Sequence, residues 1–316
     1  MQASCGGGQA ADSIKRQYRN KTTNSFHMPY LKVTGGKIWY KILGKKTARI
    51  PLIIVHGGPG YPSYYLQNLS ALARDRQVIV YDQLGCGRSG KSNEKTRWTV
   101  RYFVQELEML VQRLGFQKFN LLGHSWGSFL ALSYALKRQS RVNGLILASP
   151  YLSTKLWIAT MNHYLKNLPR GWGRIIRQSE QSGHTDTVQY KKAVREFHFR
   201  HETRFKRDPQ SLRLANKHFN AEIYRYMWGP NEYTITGTLK KADLAGQLKK
   251  LKMPVLFTCG KYEAADPATV NKFVRLTPHA RMAVFSRSAH MPHLKEPKKY
   301  FKTIREFLKC TDYVHE

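Results

Sequence analysis

The chain has 316 residues, 41% of them hydrophobic and 12% aromatic. That is enough to bury a large core, as one α/β domain or a core domain carrying an insertion, and it excludes a disordered or collagen-like chain. Fifty-three Lys and Arg stand against 20 Asp and Glu, a net charge of +33 with neutral histidines. The basic residues run evenly from Lys15 to Lys309, and doublets such as Lys191-Lys192, Lys249-Lys250 and Lys298-Lys299 read as solvated helix faces. With no helix-turn-helix, zinc-finger or RNA-binding signature, no specific nucleic-acid partner is expected. No run of 18 apolar residues predicts a membrane span, and the first 25 residues lack an apolar leader segment, so the expected compartment is the cytoplasm. Cys5, Cys86, Cys259 and Cys310 form no C-x-x-C pair and read as free thiols.

After a flexible basic tail over residues 1–27, the pattern from Tyr30 to Leu43 predicts a hairpin whose turn is Thr34-Gly35-Gly36. Buried strands follow at Pro51 to Val55, Gln77 to Tyr81, Phe119 to Leu122 and Gly144 to Ala148, separated by helix-length stretches. One of these is a helix capped by Thr99, with Phe103, Val104, Leu107, Leu110, Val111 and Leu114 on one face and Gly115 as its stop. From residue 151 to about 245 the strand pattern gives way to amphipathic, basic, aromatic-rich segments. Alternation resumes with Val255 to Thr258 and Ala283 to Phe285, and a helix containing Tyr300, Phe301, Ile304, Phe307 and Leu308 closes the chain. The expectation is a mostly parallel sheet with helices on both faces, its core split into residues 28–150 and 246–316 by a helical cap over 151–245.

Gly123-His124-Ser125-Trp126-Gly127 matches G-x-S-x-G between a strand and a helix, the context in which a serine on a strained turn becomes a nucleophile. His56-Gly57-Gly58-Pro59-Gly60 follows directly on a strand, so Gly58 can aim an N–H at a developing oxyanion, with Trp126 as the second donor. A phosphate loop would need G-x-x-x-x-G-K-[ST], which is absent. Of the 12 histidines, only His290 and His293 lie between the last expected strand and the last helix; His290 is favoured as the general base and His293 as a shaper of the loop. For the acid that orients the histidine, Glu263 competes with Asp266, which precedes Pro267 and suits a helix cap; Glu263 is favoured. His198 and His201 are read as exposed helix residues, because no nearby carboxylate or cysteine pattern accompanies them; no metal and no cofactor are expected.

These residues resemble the proline iminopeptidase family of α/β-hydrolases, in particular members similar to tricorn-interacting aminopeptidases. The resemblance covers roughly residues 28 to 310. It rests on His56-Gly57-Gly58-Pro59-Gly60, on Tyr81-Asp82-Gln83-Leu84-Gly85-Cys86-Gly87-Arg88-Ser89, on the Gly123 to Ser128 elbow, and on the segment from Met227 to Gly237, whose Gly229-Pro230-Asn231-Glu232-Tyr233 is the most specific. It implies an α/β-hydrolase fold and a serine aminopeptidase that releases N-terminal residues, proline preferred, from short peptides. It also implies that Glu232 binds the substrate's free ammonium, with Trp228 and Tyr233 as candidate pocket walls. Two departures stand out: Glu263 occupies a position where the family usually has aspartate, and Ala264 replaces a frequent second amine-binding glutamate, leaving Glu232 alone at the amine. The alternatives are a hydrolase of the same fold acting on esters or amino-acid amides without a free N-terminus, and a basic binding or scaffold protein that keeps the fold.

Overall fold

The computed structural model describes residues 30–312 apart from 93; the tail over residues 1–27 and Cys5 lie outside the described residues. Eight strands form one sheet in the order β1-β2-β4-β3-β5-β6-β7-β8. They are β1 (Tyr30–Val33), β2 (Gly36–Leu43), β3 (Leu52–Val55), β4 (Val78–Asp82), β5 (Phe119–His124), β6 (Val142–Ala148), β7 (Val255–Gly260) and β8 (Ala280–Phe285). β1 and β2 form the antiparallel hairpin, β2 runs antiparallel to β4, and every remaining pair is parallel. Every residue of β3 to β7 is buried, as a parallel sheet covered on both faces requires. β8 is partly exposed along its length, and only its apolar end was legible in the sequence because Arg281 and Met282 hide the start.

Alternate strand residues feed two cores. Ile53, Ile79, Leu121, Leu145 and Phe257 face one, with the helix Val100–Leu114 and the helix Trp126–Lys137. Leu52, Val78, Leu122, Ile146 and Leu256 face the other, against the segment Ser63–Arg74 and the helix Pro297–Asp312. The Thr99 hydroxyl accepts the Tyr102 N–H at 3.1 Å, and Gly115 ends that helix at φ 67°, a conformation that suits glycine. Ser63–Arg74 is a 3-10 segment rather than an α-helix.

Between β6 and β7 lie the helices Thr154–Lys166, Trp172–Ser182, Val188–His198, Gln210–Lys217 and Ala221–Met227. The third runs into a π-helical turn, Phe199–Thr203. No helix among the described residues is long and apolar enough to cross a membrane. Cys86 and Cys259 are buried free thiols, and Cys310 is an exposed one.

The closing helix is tied to the start of β3 by a buried ion pair. Arg76, its side chain 2% exposed, reaches both carboxylate oxygens of Asp312 at 3.0 and 2.9 Å and the Ile50 carbonyl at 3.0 Å. Asp312→Ala leaves that guanidinium the Ile50 carbonyl and the Asp75 carboxylate at 3.5 Å, so urea unfolding is expected to show a loss of about 1.5–3 kcal/mol.

Candidate active site

Parallel strands end together, and the loops after β3, β5, β6 and β7 therefore meet at one edge of the sheet. There Ser125 stands between β5 and its helix at φ 55° and ψ −123°, a region that a residue with a side chain rarely adopts. The flanking glycines are there for lack of space. A Cβ on Gly123 would fall 2.2 Å from the Gly127 carbonyl oxygen, and one on Gly127 would fall 2.3 Å from that of Val55. The Ser125 N–H extends the sheet ladder to the Ala148 carbonyl at 2.9 Å.

Ser125 and His290 line a cavity of about 850 Å³ together with Gly57 and Gly58. His290 Nδ1 donates to Glu263 Oε2 at 2.6 Å. The other carboxylate oxygen of Glu263 accepts the Gly260 N–H at 2.6 Å and the Ser149 hydroxyl at 2.9 Å, so the longer side chain spans the gap with both oxygens bonded. Burial pushes the Glu263 carboxyl up, opposed by His290. Burial also works against charge on His290, but Glu263, then Glu232 and Glu202, hold its pKa above the usual value. Asp266 is engaged elsewhere: it caps the helix Pro267–Leu276, accepting the Thr269 N–H at 2.7 Å.

A relay of neutral groups joins the glycine-rich loop to the His290 loop. The Gly57 N–H donates to the Tyr65 hydroxyl at 2.8 Å, that hydroxyl is 2.9 Å from His124 Nδ1, and His124 Nε2 is 2.9 Å from the His290 carbonyl. Burial, then the neighbouring histidines, keeps His124 uncharged; Nε2 must carry its proton to meet a carbonyl, which leaves Nδ1 to accept from Tyr65. Gly58 has φ 118° and lines the cavity. Trp126 is the first residue of its helix, so its N–H has no helical carbonyl to bond, while its indole is held away by Gln83 at 3.1 Å. His293 is fully buried, with Nε2 3.2 Å from the Tyr65 carbonyl, and burial keeps it neutral with a pKa of about 3.

The cap brings three carboxylates to this cavity, Glu202, Asp208 and Glu232. Glu232 accepts a bond from the Tyr224 hydroxyl at 2.6 Å, and burial, then the charge of Glu202, pushes it up to about 7. Glu202, on the π-helical turn, lines the cavity too, and its main-chain oxygen accepts the His290 N–H at 2.9 Å. Although burial opposes it, the His198 side chain hydrogen-bonded to the Glu202 carboxylate keeps that acid below its usual range. His198 in turn is raised to about 9, the pull of Glu202 outweighing burial.

This corrects two expectations. His198 and His201 are half-buried and partnered, not exposed: His198 by Glu202, and His201 by stacking on Tyr164 at 3.9 Å and by the Tyr262 carbonyl at 2.9 Å. Glu232 is also not the only carboxylate here, since Glu202 supplies a second where Ala264 has none. Glu202 escaped notice because it reaches the site only when the cap folds back; the available signal was its i, i+4 spacing from His198 in a chain with few acids. The aromatic walls also differ. Tyr233 lines the cavity, but Trp228 does not: it is buried behind, edge-on to Tyr151 at 4.7 Å and to Trp157 at 5.6 Å, and Trp157 is the tryptophan that reaches the lining. Among the described residues no group of three His, Cys, Asp or Glu is placed to hold a metal ion.

A serine on a strained strand-to-helix turn, in a parallel sheet interrupted by a helical cap, defines the α/β-hydrolase class, and residues 50–297 match the family profile of the alpha/beta hydrolase fold. The chain is 40% identical over 280 residues to the proline iminopeptidase of Heyndrickxia coagulans, covering 88% of this chain and 97% of that one. Among solved structures, it superposes on the proline iminopeptidase of Mycobacterium smegmatis with a TM-score of 0.86 at 30% identity, over 91% of this chain and 99% of the other. VinJ gives a TM-score of 0.85 at 31% identity over 89% and 98%. The chain belongs to the proline iminopeptidase family.

The contact between Gly127 and Val55 is main chain on both sides and has no room to relax. Gly127→Ala is expected to displace Ser125 and lower kcat/KM about 100-fold, with a parallel loss of labelling by a serine-directed phosphonate.

Proposed function

We propose that the chain is a serine aminopeptidase that releases the N-terminal residue, preferentially proline, from short peptides. The observation that carries this is the pairing of two cap carboxylates, Glu202 and Glu232, with Ser125 and His290 in one cavity. A free N-terminus is a cation, and partly desolvated carboxylates recognise it through charge-assisted hydrogen bonds. The proline iminopeptidase relatives support the choice of substrate.

Ser125 Oγ attacks the carbonyl of the first residue while His290 Nε2 takes its proton, since Nδ1 is engaged by Glu263. The Gly58 and Trp126 N–H groups bind the oxyanion, and Glu263 holds the imidazole in the required tautomer and offsets its charge. The C–N bond then breaks, with the His290 proton passing to the leaving amine. Water, deprotonated by His290, attacks the acyl-enzyme and frees the amino acid and the serine. The main-chain contact of Glu202 to His290 sets the amine-binding acids at a fixed offset from the reacting carbonyl.

Prolyl and alanyl arylamides, free and N-acetylated, test the proposal. Wild type is expected to cleave the free amines, Ser125→Ala to lose about 10⁴-fold or more in kcat, and Glu232→Gln to narrow the gap between free and blocked substrates. Equal cleavage of blocked and free arylamides, or turnover that survives Ser125→Ala, refutes it.

The pH profile follows from the same groups. His290 must be neutral to act as base, and its neighbours raise its pKa; Glu232 must be charged to bind the ammonium, and its pKa is about 7. Both requirements fail as pH falls, so kcat/KM is expected to drop through neutrality more steeply than one ionisation allows. Glu232→Gln removes one ionisation and one anion beside His290, making the acid limb shallower and moving it to lower pH. An acid limb unchanged in that variant contradicts the assignment.

A further inference from the structure

The cavity around Ser125 is not acidic throughout. Besides Glu202 and Glu232, its lining includes two exposed cations, Arg195 and Lys206. Arg195 lies on the helix Val188–His198, three residues before His198, and Lys206 follows the π-helical turn that carries Glu202. Of the neighbouring cations, Arg200 bonds Glu196 at 2.5 Å, Lys191 pairs with Asp186 and Arg204 lies over the Tyr262 ring at 4.0 Å, while Lys192 and Arg207 lie outside the cavity lining. Among the described residues, the side chains of Arg195 and Lys206 have no ion pair or hydrogen bond. Asp208, also in the lining, is a third carboxylate there; burial pushes its carboxyl up from the usual range, opposed by Arg213 and His198.

A short peptide is a zwitterion with an ammonium at one end and a carboxylate at the other. Carboxylates and unengaged cations in one cavity of about 850 Å³ offer a partner to each end. Only a peptide of a few residues keeps its carboxylate inside a space of that size while its first carbonyl is at Ser125; a longer chain carries that charge out into solvent, where it gains nothing.

We infer that Arg195 and Lys206 form a carboxylate subsite for the leaving part of the substrate, so that the enzyme prefers di- and tripeptides with a free C-terminus. This rests on the aminopeptidase reading above and adds the other end of the substrate to it. Both side chains have long stems and remain hydrated, so the interaction selects among peptides rather than holding them tightly.

The experiment compares kcat/KM for prolylglycine and prolylglycinamide at low salt, with prolyl arylamide, which lacks a carboxylate, as the substrate that tests the aminopeptidase reading itself. The free acid is expected to exceed the amide about fivefold, the effect of one or two exposed ion pairs. That ratio is expected to approach one in Arg195→Ala/Lys206→Ala, and to fall in 0.5 M salt as screening shortens the reach of the charges, on the order of 3–10 Å across that range. Lys272→Ala removes a charge from an exposed helix position outside the cavity and is expected to leave the ratio unchanged. Equal rates for acid and amide in wild type, or a preference that persists in the double variant, overturn the subsite while arylamide turnover leaves the aminopeptidase reading standing. Absence of arylamide turnover removes both.

Discussion

The architecture hangs on one main-chain contact. Where β5 turns into its helix, Gly127 lies so close to the end of β3 that even a methyl group would overlap the Val55 carbonyl oxygen. This forces the chain through the conformation that lifts Ser125 out of the sheet, and it fixes the distance between the serine and the glycine-rich loop that continues from Val55. The sheet must stay parallel at this point for the two loops to leave from the same edge. The register of β3 against β5, with Val55 opposite Gly123, secures that arrangement.

Around the contact, polar groups are arranged so that charge is confined to where it is used. His124, His293 and Tyr65 form a buried neutral network that holds loops in place without competing for protons. Glu263, by contrast, is fully buried but has both oxygens bonded, which is how a buried acid avoids a large desolvation cost. The surface has a large excess of positive charge, yet the cavity gathers Glu202 and Glu232 beside the histidine. On the aminopeptidase reading, an ammonium approaching such a surface is repelled at long range and attracted only once inside, so recognition of the amine is local.

How much of this could be read from the sequence depended on whether the relevant neighbours were near in the chain. Strands β3 to β7 each contain an apolar run, and the helix Val100–Leu114 carries its own cap and stop, so each was legible from its own residues, though β5 extends past Leu122 to His124 and β6 begins before Gly144 at Val142. The elbow was legible because its requirements, two glycines and a serine between strand and helix, fall within five positions. Glu263 against Asp266 stayed open because both follow β7 at plausible distances; the choice depends on which carboxylate the helix cap consumes. Glu202 and Trp157 were missed for a related reason: their approach to Ser125 is made by the cap folding over the core, which no local pattern encodes. Trp228 carried the right residue type in the right segment, but Tyr151 and Trp157 occupy the space in front of it.

The hydrogen bond from the His290 main chain to the Glu202 carbonyl has a consequence for how the cavity opens. A hinged lid that swung away as a rigid body would have to pull on the backbone of His290, breaking this tether each time it moved. The seating of the His290 loop and the resting position of the Phe199–Thr203 turn are therefore coupled, since this bond holds only while the two lie against each other.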